Sequence, residues 1–372
     1  MSSTPSATST AWVAAMSPWP RDGFGTERMR RLLAELGDPQ ERFPAIHVVG
    51  TNGKSTTIRL VEALLLDAGL RAGAYLSPHV RRWGERIRIA GEEVDFEAAV
   101  AAIRPPAEAL EATQFEALTA AALHAFAAAE VDVAVVEAGL GGRHDATNVL
   151  RTRAVVLTSV ALDHMEQLGA TREEIAAEKL AVVQEGCAVV LGEPEWRELA
   201  ERNGAGAVVV TARSNLALAT AAAETFLGGP VDPHSAEGVV LPGRLERRGE
   251  APLEIWDGAH NLAGIGWLLP RLPDREYVLV CSILRDKRPE LMLEALSVLG
   301  PRLIATESAN ARCVPAVELA ELAGRYFSAV EAIADPHAAR ARGLELAGPT
   351  GALLVSGSLY LLGELSGAEG NS

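Results

Sequence analysis

Positive charge, sulfur and long apolar runs are all scarce in this chain. Its 34 Lys and Arg are outnumbered by 49 Asp and Glu, which leaves a formal net charge of −15. That balance excludes nucleic acid as a partner, because duplex binding needs a basic face. An anionic substrate must then be held by local positive groups, so a Lys or Arg in a glycine-rich loop gains weight. The cysteines, Cys187, Cys281 and Cys313, lie far apart. They offer neither a disulfide framework nor metal-ligand spacing, and a reducing, cytoplasmic setting fits. No apolar run approaches the ~20 residues that cross a bilayer, so no membrane partner is expected. Residues 1–10 are rich in Ser, Thr and Ala but lack the charged and apolar regions of a signal peptide; they read as a disordered tail.

What is present is a globular composition, 48% hydrophobic with 34 glycines. A chain of 372 residues is too long for one compact core, so two domains are expected. Short β-type runs alternate with helical patterns, the signature of an α/β fold with a mainly parallel sheet. The first set of strand candidates covers 46–49, 74–76, 131–136, 154–158, 188–191 and 208–210. A second alternation covers 253–256, 277–281, 303–305 and 353–355. Between the two sets, Leu241-Pro-Gly-Arg-Leu-Glu-Arg-Arg-Gly249 is polar and broken by Pro and Gly, as a hinge would be. The boundary is placed near residue 248, giving domains 11–248 and 249–372.

The most informative stretch is Ala45-Ile-His-Val-Val-Gly-Thr-Asn-Gly-Lys-Ser-Thr56. An apolar run becomes a glycine-bracketed turn carrying Lys54 and two hydroxyl residues, followed by an amphipathic helix. That helix places Ile58, Val61, Leu64, Leu65 and Ala68 on one face and stops at Gly69. A tight loop leading onto a helix N-terminus suits a polyphosphate, since backbone N–H groups and the positive helix end face the anion. Only two residues separate Gly50 from the Gly53-Lys54 pair, against four in the common P-loop. A second apolar run ends in Glu137 and leads into Ala-Gly-Leu-Gly-Gly-Arg-His-Asp-Ala-Thr-Asn148. A carboxylate at a strand's carboxyl end can hold Mg²⁺, and the glycines allow close backbone approach. Thr158-Ser-Val-Ala-Leu-Asp-His164 repeats the design with His164 beyond another strand.

With these residues in view, the chain resembles the folylpolyglutamate synthase and dihydrofolate synthase family of Mur-type ligases. The resemblance is an ordered series: Gly50-Thr-Asn-Gly-Lys54, Ser77-Pro-His79 with Glu85-Arg-Ile87, Phe115-Glu-Ala-Leu-Thr119, Glu137-Ala-Gly-Leu-Gly-Gly-Arg143 and Asp145-Ala-Thr-Asn148. It continues through Asp163-His164, Leu168-Gly169, Glu178-Lys179, Pro242-Gly-Arg244, Asp257-Gly-Ala-His-Asn261, Asp286-Lys287 and Ser356-Gly-Ser-Leu-Tyr360. It implies a P-loop ATPase-type domain at 11–248, bearing a pterin site, and a smaller Rossmann-like ligase domain at 249–372. Thr51, Asn52, Gly53, Lys54 and Ser55 would bind ATP phosphates, with Asn215 on adenine and Arg244 and Asp257 completing the nucleotide site across the hinge. Ser77, Glu137 and His164 match magnesium ligands, and Lys179 matches a lysine that the family carbamylates to hold a second Mg²⁺. Lys54, Lys179, His260 and Arg143 are the catalytic candidates. Thr26, Glu27 and Arg28 fall where the family places a pterin loop; Phe115, Glu116, Ala117 and Leu118, with Asp145, Ala146 and Thr147, match further pterin segments. Two departures stand out: Ser55 occupies a position usually glycine, and Leu180-Ala181 follows Lys179 where the family has Ala-Gly.

The resemblance implies an ATP-dependent amide ligase that adds L-glutamate to dihydropteroate, to a folate, or to both. The route would run through an acyl phosphate, in a monomer whose partners are small molecules. The alternatives are a Mur-type ligase acting on a UDP-linked cell-wall precursor and a nucleotide-dependent scaffold protein without chemistry.

Overall fold

The computed structural model describes residues 8–18, 20, 23 and 25–367. They form two compact units. One takes the residues up to 79 together with 83–239, and the other takes 80–82 with the residues from 240 on. The division at 239/240 spares β9 (Glu246–Glu250), which a cut at 248 would split. Of the expected tail, residues 1–7 lie outside the described residues. Ser9 and Thr10 instead open a helix, Ser9–Ala14, and their backbone N–H groups donate to the Glu97 carboxylate at 2.6 and 3.0 Å.

In the first unit the strands are β1 (Ala45–Val49), β2 (Ala72–Tyr75), β3 (Ile87–Ile89), β4 (Glu92–Glu93), β5 (Val133–Glu137), β6 (Thr152–Leu157), β7 (Ala188–Leu191) and β8 (Ala207–Val210). They make one sheet in the order β4-β3-β2-β5-β1-β6-β7-β8. All neighbours from β2 to β8 are parallel; β3 and β4 add an antiparallel edge. β1 and β5 are buried at every residue. Burial on both faces is why they read as unbroken apolar runs. The run expected to start at 131 starts at Val133, because Glu130 turns through a positive φ of 52° just before it. The chain leaves β1 toward β2 on one side, while β6, β7 and β8 continue on the other. The carboxyl ends of β1, β5 and β6 therefore surround the switch point where α/β sheets bind ligands.

The helix after β1 runs Lys54–Asp67 and buries Ile58, Val61, Leu64 and Leu65 as expected, but Ala68 is its exposed C-cap. Gly69 follows at φ +83°, the left-handed position that ends a helix without Cβ strain.

The second unit holds β9 with β10 (Leu253–Trp256), β11 (Tyr277–Cys281), β12 (Arg302–Ala305), β13 (Ala329–Ala332) and β14 (Ala352–Ser356), ordered β13-β12-β11-β14-β10-β9. Only the β9–β10 pair is antiparallel. This is the expected α/β Rossmann-like organisation with one strand added at each edge. Its core gathers Leu279, Leu303, Leu354 and Ile265 from three strands and a helix. Among the described residues of either unit, no helix is long and apolar enough to cross a membrane.

Candidate active site

The helices Gln114–Ala128, Arg172–Leu180 and Asn215–Leu227 each have a side-chain N-cap, from Thr113, Thr171 and Ser214. The helix Lys54–Asp67 has none; its N-cap is Gly53 at φ +87°. Its first-turn N–H groups are thus left for an anion, at the end of the macrodipole that favours one. The loop before it is held from below by the segment after β6. Thr51 N donates to Ser159 O at 2.8 Å, and Ala161 N donates to Thr51 Oγ1 at 3.0 Å. Asn52 N donates to Ser159 Oγ at 3.1 Å, and Thr158 Oγ1 donates to Asn52 O at 2.7 Å. The Asn215 side chain lies against the same loop: a Cβ on Gly53 would stand 2.6 Å from its Oδ1.

Gly50 is obligatory here. Its φ is +145°, and a Cβ would stand 1.9 Å from Thr158 Oγ1. Gly50→Ala is expected to cost roughly 1–3 kcal/mol in backbone strain alone and to displace the Thr158 hydroxyl from Asn52. Urea unfolding should show the loss, and thermal-shift titration should show a weakened MgATP response; an unchanged nucleotide response would contradict this account of the loop.

Glu137, 2% exposed, closes β5 and lies beside the loop. Its Oε2 accepts from Ser55 Oγ at 2.9 Å and from Ser77 N at 3.0 Å, and Lys54 Nζ stands 3.8 Å from Oε1. Lys54 Nζ also donates to Gly50 O at 3.2 Å, and Lys179 Nζ donates to that same oxygen at 3.1 Å. Burial, reinforced by the Lys54 charge, lowers the Lys179 pKa to about 7. Lys179 is placed by the helix Arg172–Leu180, whose last turn presses on the glycine loop. A Cβ on Gly142 would stand 2.6 Å from Lys179 O, and Arg143 N donates to Glu178 O at 3.1 Å. Arg143 itself faces solvent, with Nε donating to Glu178 at 3.2 Å. Half-buried His164 opens the one-turn helix Met165–Leu168 at φ +50°, seven residues beyond β6 rather than at its end.

The pterin-segment residues divide by burial. Phe115 is half-buried, its ring against Gly139 and 6.1 Å from that of Tyr75. Glu116 is held by its own helix start, accepting Thr113 N at 2.8 Å and Arg28 Nε at 3.2 Å. Ala117 and Leu118 sit in the hydrophobic core. Thr26 N-caps, without a side-chain bond, the helix Glu27–Glu35 that carries Glu27 and Arg28. Ala146 is buried between Asp145 and Thr147. Asp145 accepts Leu140 N at 2.8 Å, Thr147 N at 2.9 Å and the Thr147 hydroxyl. Burial nonetheless pushes its pKa up.

That network includes a residue the sequence reading passed over. His47, inside β1, lies with Nε2 at 2.8 Å from Thr147 Oγ1. The hydroxyl proton goes to Asp145, so Nε2 must be the protonated nitrogen and donate. Burial lowers the His47 pKa to about 3, so the ring is neutral, with Nδ1 buried and without a hydrogen bond.

In the second unit, Asp257 follows β10 and accepts Leu245 N at 2.8 Å and Ala259 N at 2.9 Å. Burial raises its pKa against the pull of Arg244. Arg244 Nη1 donates to Gly243 O at 3.0 Å. His260 Nδ1 lies 2.8 Å from Gly258 O, and Asn261 caps the helix Leu262–Leu268.

Among the described residues no three His, Cys, Asp or Glu side chains cluster as a metal cage. The candidate donors are a hydroxyl, a carboxylate and an imidazole, a set that suits Mg²⁺ retaining part of its water.

Residues 48–229 match the Mur ligase middle domain family. The dihydrofolate synthase/folylpolyglutamate synthase of Mycobacterium tuberculosis is 31% identical, over 81% of this chain and 77% of its own. The chain belongs to that family. A solved structure of E. coli FolC in complex with DHPP and ADP superposes with a TM-score of 0.87 at 28% identity, covering 97% of this chain and 98% of that one. A solved structure of a bifunctional folylpolyglutamate synthase/dihydrofolate synthase with Mn, AMPPNP and L-glutamate bound gives 0.85 at 29% identity, covering 97% of this chain and 98% of that one. The expected family, the α/β fold class and the assignment as an ATP-dependent ligase are thereby borne out. The relatives named here are folate synthases, not cell-wall ligases.

Proposed function

We propose that this chain joins the amino group of L-glutamate to the carboxyl group of dihydropteroate, of a reduced folate, or of both, at the expense of ATP. The observation that carries the reading is the uncapped helix at Lys54, with Lys54 and Ser55 against the buried Glu137. In the first step an acid oxygen forms a bond to the γ-phosphorus while the bond to ADP breaks, leaving an acyl phosphate. In the second the glutamate amine forms the C–N bond, phosphate leaves with the electron pair of the C–O bond, and the nitrogen loses a proton. Backbone N–H groups of residues 53–55 and the Lys54 ammonium hold and orient the phosphates. Ser77, Glu137 and His164 would hold Mg²⁺, which neutralises charge on the transferring group. Asn215 would contact the base. Arg244 and Asp257 are nucleotide-contacting candidates in this reading, and His260 is a catalytic one. The Thr26–Arg28 segment, Phe115 and the Asp145–Thr147 turn would receive the pterin acid; Ala117 and Leu118 support that wall from the core. Arg143 anchors the glycine loop to Glu178. Above its pKa the neutral Lys179 amine can add CO₂ and lose a proton to become a carbamate, an anion able to hold a second Mg²⁺. A cytoplasmic monomer is the working form in this reading.

Radiolabelled glutamate incorporation with dihydropteroate and with tetrahydrofolate, measured side by side with ADP release, tests it. ADP release should depend on the acid acceptor. Equal release with and without an acceptor would sink the ligase assignment.

A further inference from the structure

We propose that Glu193 and Arg172 are positioning residues for the nucleotide and metal loops, acting through the backbone of Val160. The proposal rests on the reading of 51–55 and His164 as nucleotide and metal ligands. Glu193 lies two residues beyond β7, and its carboxylate is only 6% exposed. A carboxylate that deep is tolerated when it is paired and hydrogen-bonded. Oε2 accepts Val160 N at 3.1 Å, Arg172 Nη2 at 3.1 Å and Trp196 Nε1 at 2.9 Å. Oε1 stands 2.8 Å from Arg213 Nη2, an ion pair without hydrogen-bond alignment. Arg172 returns to the same residue: its Nε donates to Val160 O at 3.0 Å, and its guanidinium lies 5.3 Å over the Trp196 ring.

Both backbone groups of Val160 are therefore gripped by the two halves of one ion pair. The grip falls in the middle of the segment that does the positioning. Thr158 and Ser159, before Val160, hold Asn52 and Thr51; Ala161, after it, holds Thr51; His164 ends the run. Arg213 stands two residues before Asn215, so the same carboxylate also reaches the approach to the base-contacting candidate. A bond made only for stability would serve equally well on any core residue. This one fixes the height of a loop that braces the phosphate turn on one side and presents an imidazole on the other. Ligands held by a shell of this kind lose about 10- to 100-fold in metal affinity when the shell is cut.

Glu193→Gln keeps the volume and an acceptor for Val160 N but removes the charge that faces Arg172 and Arg213, leaving Arg172 its 2.7 Å pair with Glu195. Arg172→Lys keeps the charge but cannot reach Val160 O and the carboxylate as one planar fork. In each variant the half-saturating Mg²⁺ and the KM for ATP are expected to rise about tenfold, with the KM for L-glutamate unchanged. A lowered melting temperature with unaltered Mg²⁺ and ATP constants in the folded fraction of either variant would make the pair a structural ion pair and overturn the proposal. Lys54→Met, run alongside, separates the two levels. If it too leaves the ATP constants untouched, the nucleotide site itself is misassigned and the proposal falls with it.

Discussion

Glu137→Gln is expected to lower kcat by about 10²- to 10³-fold while leaving the circular dichroism of the protein unchanged. The substitution alters no volume, so the packing around β5 should survive. What changes is charge and hydrogen-bond sense. The carboxylate now accepts from Ser55 Oγ and Ser77 N and faces Lys54 at 3.8 Å. An amide has one acceptor oxygen, and its NH₂ end would be turned toward donors. Lys54 would then lack a counter-charge, and the magnesium candidate set would lose its only carboxylate. The loss should appear in kcat and in the Mg²⁺ requirement more than in the KM for the pterin acid. Steady-state assays across a Mg²⁺ series check this; wild-type turnover in Glu137→Gln would remove Glu137 from the site.

How much of this could be read from the chain depended on where each residue sits in its sheet. β1 and β5 are buried on both faces, so they appear as apolar runs, and the residues that follow them stand out by contrast. The edge strands β4, β9 and β13 give no such signal, unlike the apolar edge strand β8. β4 is Glu92–Glu93, β9 is Glu-Arg-Arg-Gly-Glu, and β13 is an exposed or half-buried Ala-Val-Glu-Ala, so each looks like a loop. The same logic separates the site residues. Lys54 and Glu137 act at strand ends and carry a pattern. His47 is hidden within an apolar run, and the Arg172–Glu193 pair acts on a backbone group, which leaves no spacing rule to find it by. One signal was available and unused. The chain has only three lysines, Lys54, Lys179 and Lys287, and every other basic side chain apart from histidine is an arginine. Two of the three are buried. Where arginine serves everywhere else, a retained lysine marks a need for a compact ammonium or a titratable amine.

Lys179→Met is therefore expected to do two opposite things: abolish most turnover and stabilise the fold. The folded pKa is lowered to about 7 from 10.5, so between those values the unfolded chain binds a proton that the native state does not. Stability from this group is then full above pH 10.5, falls as pH drops, and is lowest below pH 7, where the buried ammonium costs up to about 5 kcal/mol. Methionine removes that cost at similar length, so unfolding at pH 6 should require more denaturant than in the wild type, and the difference should shrink toward pH 10. A lysine kept for stability would behave in the reverse sense. Turnover should fall at least about 10²-fold, since the candidate second metal site loses its anion. Lys179→Arg should be as inactive, because a guanidinium stays charged and cannot take up CO₂. In the wild type, stripping CO₂ at pH 8 should depress activity and bicarbonate should restore it, with a carbamate carbon visible by NMR after labelling with ¹³C-bicarbonate. Full activity in CO₂-free buffer at that pH, with no such resonance, would leave Lys179 as a plain amine that serves only the Gly50 carbonyl.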